Sequence, residues 1–260
     1  LARQHNPLPE QEAGCLIAAA GVAGADDRLN DAVAFSERAL SRLSASGLER
    51  HAMVGAALSR LSEYHDSLGD ARKAHAYNHE SLQAYVRRGY GGTMQALVLM
   101  LNETADLYNF GELKRALAVA NQLADIMTTR GMADADRAPY LVNHASILWA
   151  LGRNEQALSM VDRAQAVSQT SGNQFWQQRA LFVRAQLLIR LDEHAAAKRA
   201  LDEVEATYRA DPVRNKSSLA SVALARAEWL QRTGQSASAR QMVDGLIANL
   251  RRESATPSHG

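Results

Sequence analysis

Gly152-Arg-Asn-Glu-Gln-Ala157 and Gly69-Asp-Ala-Arg-Lys-Ala74 have the same form, a glycine followed five residues later by an alanine. Gly111-Glu-Leu-Lys-Arg-Ala116 and Gly234-Gln-Ser-Ala-Ser-Ala239 repeat it, and Asp27…Ala32 and Asp192…Ala197 repeat it with aspartate in the glycine's place. The marked alanines are Ala32, Ala74, Ala116, Ala157, Ala197 and Ala239, at successive spacings of 42, 42, 41, 40 and 42 residues. So regular a period across the whole chain is the signature of a repeat architecture.

The pattern has a physical meaning. A residue just past a helix end closes that helix in the left-handed conformation, which glycine adopts freely and aspartate tolerates. An alanine one turn into the next helix lets two backbones approach closely. Apolar positions then recur at helical spacing, as in Ala157, Val161 and Ala164, or Ala116, Ala120 and Leu123. Each repeat therefore reads as helix, tight turn, helix. The spacing predicts six pairs, over 10–23 with 27–44, 48–67 with 70–88, 93–109 with 112–130, 137–151 with 153–170, 173–190 with 193–209, and 215–232 with 235–251. Thr93, Asp136 and Asn173 are the expected N-caps. One domain over 1–252 is expected, with a polar, flexible tail over 253–260.

Composition agrees with a helical, water-exposed protein. Only five prolines occur (Pro7, Pro9, Pro139, Pro212, Pro257), four of them near the ends or between periodic segments. A net charge of +1 supplies no bulk field for nucleic acid or an anionic membrane. No apolar run reaches membrane-spanning length, and no basic, apolar leader opens the chain. The lone Cys15, in the apolar run Cys15-Leu-Ile-Ala-Ala-Ala, excludes an internal disulfide framework and is expected to be a small buried hydrophobe. A cytoplasmic location follows as the expectation. Leu1 in place of an initiator Met points to a piece of a longer protein.

The alanine and glycine positions resemble those of the tetratricopeptide repeat, from about residue 13 to 250. The period of about 41 residues is longer than the usual 34 and is similar to that of kinesin light chain, of MalT-like regulators and of the repeat region of bacterial serine/threonine kinases. The resemblance implies an all-α, right-handed superhelical solenoid of about six hairpins, whose first helices line a concave groove. By the family's groove positions, Leu101, Asn102, Tyr108 and Asn109 in the third repeat, Val142, Asn143, Ser146 and Trp149 in the fourth, and Arg179, Phe182, Gln186 and Arg190 in the fifth face a bound partner. Asn102 and Asn143 occupy one repeat position in neighbouring repeats. Kinesin-light-chain-like repeats carry there an asparagine that clamps an extended peptide, and an amide can both donate to and accept from a backbone. The alternative is that the two amides bond each other or a neighbouring helix end. Tyr108, Trp149, Phe182 and Ile189 form an apolar strip, read either as binding anchors or as packing between first helices.

Catalytic patterns fail by contrast. His75 and His79 stand one turn apart, but His79-Glu-Ser-Leu-Gln83 lacks the second histidine of a zinc-protease helix and no third ligand is near. Gly89-Tyr-Gly-Gly92 has neither a preceding strand nor a following Gly-Lys-Ser/Thr. The expected function is therefore binding of a protein or peptide, without catalysis, cofactor or metal, as the regulatory part of a larger bacterial signalling protein. A sensor domain that binds a small effector or signal peptide is the alternative. Self-association through a terminal hairpin is a further expectation, because the first helix is apolar for a solenoid cap.

Overall fold

The computed structural model describes residues 8–255, with the side chains of 134, 135, 250 and 253–255 left aside. It forms two compact units, Leu1–Arg130 and Gly131–Gly260. The first unit contains α1 (Pro9–Ala25), α2 (Leu29–Ser44), α3 (Ala52–Ser67), α4 (Ala71–Arg87), α5 (Met94–Asn109) and α6 (Leu113–Thr129). The second contains α7 (Ala138–Ala150), α8 (Asn154–Thr170), α9 (Gln174–Arg190), α10 (His194–Arg209), α11 (Lys216–Arg232) and α12 (Ser236–Ala255). Among the described residues there is no strand. Helix α12 continues three residues into the segment expected as a tail, and 256–260 lie outside the described residues.

All six tight turns are built alike. At the third hairpin Gly111 N donates to Tyr108 O and Glu112 N to Leu107 O, and at the fourth Gly152 N donates to Trp149 O and Arg153 N to Leu148 O. The two aspartate versions use the same pair of bonds, from Asp27 to Gly24 O with Arg28 to Ala23 O, and from Asp192 to Ile189 O with Glu193 to Leu188 O. Asp27 and Asp192 have φ of 59° and 58°, the left-handed conformation the substitution requires. The backbone N–H groups after each first helix thereby satisfy carbonyls that the helix end leaves open.

The marked alanines lie under the hairpins. Ala32, Ala116, Ala157 and Ala197 have no exposed surface, and Ala74 and Ala239 almost none. The following turns of the second helices bury Ala120, Leu123 and Met127 in α6, and Ala200, Leu201, Val204 and Tyr208 in α10. Within each unit a second helix packs against its own first helix and, where another hairpin follows in that unit, against the first helix of that hairpin, as α2 does with α1 and α3, and α8 with α7 and α9.

Two expectations are corrected. Asp136 is not an N-cap, since it lies in a 3-10 turn over Asp134–Arg137 that runs straight into α7. There the preceding Arg137 has helical dihedrals, whereas Thr93 and Asn173, which do cap, accept from Ala96 N and Trp176 N. Cys15 is exposed rather than buried, because α1 buries only its Ala13, Ala20 and Ala23 side. No helix among the described residues is long and apolar enough to cross a membrane.

Candidate functional site

In the first unit the relevant helix is α5. Its apolar stripe Leu97, Leu99, Met100 and Leu107 is buried, which turns the opposite side outward. That outer side carries Met94 and Val98, 57% and 46% exposed, then Leu101, half-buried, and Asn102, exposed. Asn102 makes no hydrogen bond to any described residue, so its amide is open to a partner. Tyr108 is half-buried and Asn109 exposed at the end of the same helix. Asn109 lines an open cleft of about 540 Å³ with Arg72, His75, Phe110 and Glu112.

The flank of α5 that meets α4 is polar and carries two histidine–carboxylate pairs, while Glu103 Oε2 and Asn78 Oδ1 are buried there without a hydrogen-bond partner among the described residues. His75 Nδ1 lies 3.3 Å from Asp106 and His79 Nδ1 lies 3.0 Å from Glu103. Burial pushes the Asp106 carboxyl above its ordinary range, and the bond to His75 offsets part of that rise. The two histidines thus join neighbouring hairpins, and among the described residues no group of three or more side chains could hold a metal.

In the second unit a row of side chains crosses three first helices. Arg190 on α9 lies over the Trp149 ring of α7 at 5.8 Å, and its Nε is 3.1 Å from Glu228 on α11. Glu228 also pairs with Arg232, which in turn reaches Asp192 at 2.9 Å. Trp149, Arg190 and Glu228 therefore share one face. One to three turns earlier on α9 stand Gln186 and Phe182, half-buried, and Arg179, exposed and without an ion pair to any described residue. On α7 Asn143 is half-buried with its amide unbonded to described residues, while Ser146 donates to Val142 O of its own helix.

Two residues assigned to the groove or its apolar strip lie elsewhere. Val142 has no exposed surface, and the same is true of Ile189. Both point between their own helix and its neighbours, because α7 and α9 are apolar on more than one side and the family's groove positions do not separate those sides. Asn102 and Tyr108 belong to the first unit and Asn143, Trp149, Phe182, Arg179 and Arg190 to the second, so the structure groups them as two sets.

Two features are not legible in the sequence, the exposed Phe175 and a cleft in the first unit. Phe175, 59% exposed, stands one turn before Arg179 and packs edge-on against Trp176 at 5.0 Å. Leu224, a groove position of the sixth repeat by the family's pattern, is 54% exposed and extends the outer face to α11. A cleft of about 440 Å³ opens among α2, α3 and α4, floored by Leu40, Val54 and Leu58 and edged by His79 and Arg87. The outward aromatic at 175 follows an N-cap on a helix with no clear apolar stripe, which is why periodicity did not reveal it.

No family model matches the sequence, and no curated protein matches it. Solved structures do. The apo form of RapI superposes with a TM-score of 0.75 at 15% identity, over 93% of this chain and 84% of that one. A Rap protein complexed with competence and sporulation factor gives 0.64 at 14% identity, over 95% and 77%. A signal-transduction ATPase with numerous domains and a tetratricopeptide repeat sensor, from Pyrococcus horikoshii, gives 0.65 at 16% identity, over 95% of this chain and 36% of that one. The fold is the tetratricopeptide type of helical repeat.

Proposed function

We propose that the chain is a protein-interaction module that holds an extended peptide or partner segment on the outer faces of its first helices. The observation that carries this reading is a set of polar side chains on those faces with no internal work. Asn102, Asn143 and Arg179 bond no described residue, although each stands on a helix whose other side is packed. Beside them lie the apolar Met94 and Val98 in one unit and Trp149, Phe182 and Phe175 in the other. Amides that can pair with a backbone, next to aromatic and arginine anchors, are the chemistry of peptide recognition.

In this reading the catalytic contribution is none, and the module is the regulatory part of a larger cytoplasmic bacterial signalling protein. A sensor that receives a small effector or signal peptide is the second reading. It is favoured by the likeness over 95% of the chain to an ATPase that carries a tetratricopeptide repeat sensor, and by the likeness to a Rap protein solved with competence and sporulation factor.

The test uses a peptide selected from a random displayed library on the purified chain. Asn102→Ala combined with Asn143→Ala is expected to weaken its binding at least roughly tenfold, as loss of hot-spot contacts does. The melting temperature is expected to stay unchanged, since neither amide bonds a described residue. Unchanged affinity in the double variant counts against the reading, as does binding lost together with the fold.

A further inference from the structure

Helix α12 differs from every other second helix in one respect. Four and seven residues after the marked alanine, the others bury both side chains, namely Ser36 and Ala39, Asn78 and Ser81, Ala120 and Leu123, Val161 and Ala164, and Leu201 and Val204. In α12 the same positions hold the apolar Val243 and Leu246, and both are only half-buried, with Ile247 beside them 42% exposed. The helix thus keeps the apolar pattern of an internal second helix without the covering one. An open cleft of about 580 Å³ runs here, lined by Leu224 and Glu228 of α11 and by Arg240, Val243 and Asp244 of α12.

A second regularity says what fits there. Five residues after the marked alanine, α8 carries Asp162, which accepts from Arg184 of the following first helix at 2.9 Å. At the same position α10 carries Asp202, which accepts from Arg226 at 2.8 Å. Arg184 and Arg226 each stand thirteen residues before the next marked alanine, so the pair is one feature repeated at two joints. In the first unit the same two positions carry His79 and Glu103, with the roles exchanged. The corresponding residue of α12 is Asp244, which is exposed and pairs with no described residue. Around Arg226 the docked helix supplies Leu219, Val222, Ala225 and Trp229 to the apolar cluster of α10, and around Arg184 Leu181 and Leu188 lie one turn to either side.

We infer that α12 is a second docking surface, adjoining the first-helix face at Leu224 and Glu228, and that its occupant is an amphipathic helix of a partner protein carrying an arginine with apolar residues one turn before and after it. The arginine pairs with Asp244, and the apolar residues cover Val243 and Leu246. A second copy's α1 is the weaker fit, because Ala19 stands at the position that would face Asp244.

The probe is a fluorescently labelled peptide of residues 215–234, the chain's own arginine-bearing first helix, titrated into the intact 260-residue chain. Saturable binding is expected, with slowed amide exchange in α12. Asp244→Asn is expected to weaken it roughly three- to fivefold, the range of a partly exposed ion pair. The peptide with Arg226→Asp is expected to bind poorly to the unaltered chain and to recover on the Asp244→Arg chain. Neither variant disturbs an internal contact of α12, so both remain folded. Binding indifferent to Asp244, or lost with Asp202→Asn instead, means exchange with α11 or adhesion elsewhere and overturns the inference. So does a concentration-dependent dimer, by light scattering, that Val243→Glu abolishes, since the occupant is then a second copy.

Discussion

At the residue scale the turn closures make the sharpest claims. Gly152 has φ of 75°, where an added side chain meets no neighbour but strains the backbone. Gly152→Ala is expected to lower stability by about 1 kcal/mol in denaturant melts. Asp27→Gly is expected to raise it by less than that, because Asp27 makes no side-chain bond within the described residues. His144 supplies a different handle. It is buried in α7 with Nδ1 2.6 Å from the Tyr140 hydroxyl, and burial pulls its pKa below the ordinary 6.5. The unfolded chain therefore binds the proton more readily than the folded one, so stability falls as pH drops from about 6.5 towards the folded value. His144→Gln keeps an acceptor for Tyr140 and removes the proton. Its melting temperature is expected to change less between pH 7.5 and pH 5 than that of the unaltered chain, and an equal slope in both proteins contradicts the assignment.

At the scale of the element, small residues set how closely helices pack. Ala157 has no exposed surface at the start of α8, directly after the turn. Ala157→Leu is expected to cost roughly 1–3 kcal/mol by overpacking, whereas Ser159→Ala on the exposed side of the same helix stays within about 0.5 kcal/mol. Equal effects at the two positions contradict the close-packing role of the marked alanines. These elements were legible from the sequence because each boundary has a local cause. Within the described residues all twelve helices begin and end within about four residues of the expected positions, and the turn signal works whether glycine or aspartate carries it. The misses are equally physical. Asp136 was read as a cap from residue type alone, but a cap needs an extended backbone and the chain there is a 3-10 turn. Cys15 was placed in the core because its neighbours are apolar, yet α1 is covered on one side only. Repeat position places Val142 and Ile189 outward, although α7 and α9 bury residues on more than one side and these two are among them.

For the molecule as a whole, each unit is held by neighbour-to-neighbour joints, with α2 on α3 and α4 on α5 in one, and α8 on α9 and α10 on α11 in the other. Such local bookkeeping of contacts makes stability a sum over hairpins and their joints. It also explains why the fold survives so much sequence change that a structure 15% identical superposes over 93% of the chain. The working faces are less constrained by that architecture. An exposed Asn102 or Arg179 is neither required nor forbidden by packing, so its role is legible only from what it does not touch. The central claim, that the first helices are the receiving surface, is tested most directly by amide hydrogen exchange of the chain with and without its library-selected peptide. Slowed exchange is expected in α5, α7 or α9, on the turns around Asn102, Asn143 and Arg179, with α2, α4, α6 and α8 unchanged. Protection confined to those second helices contradicts it.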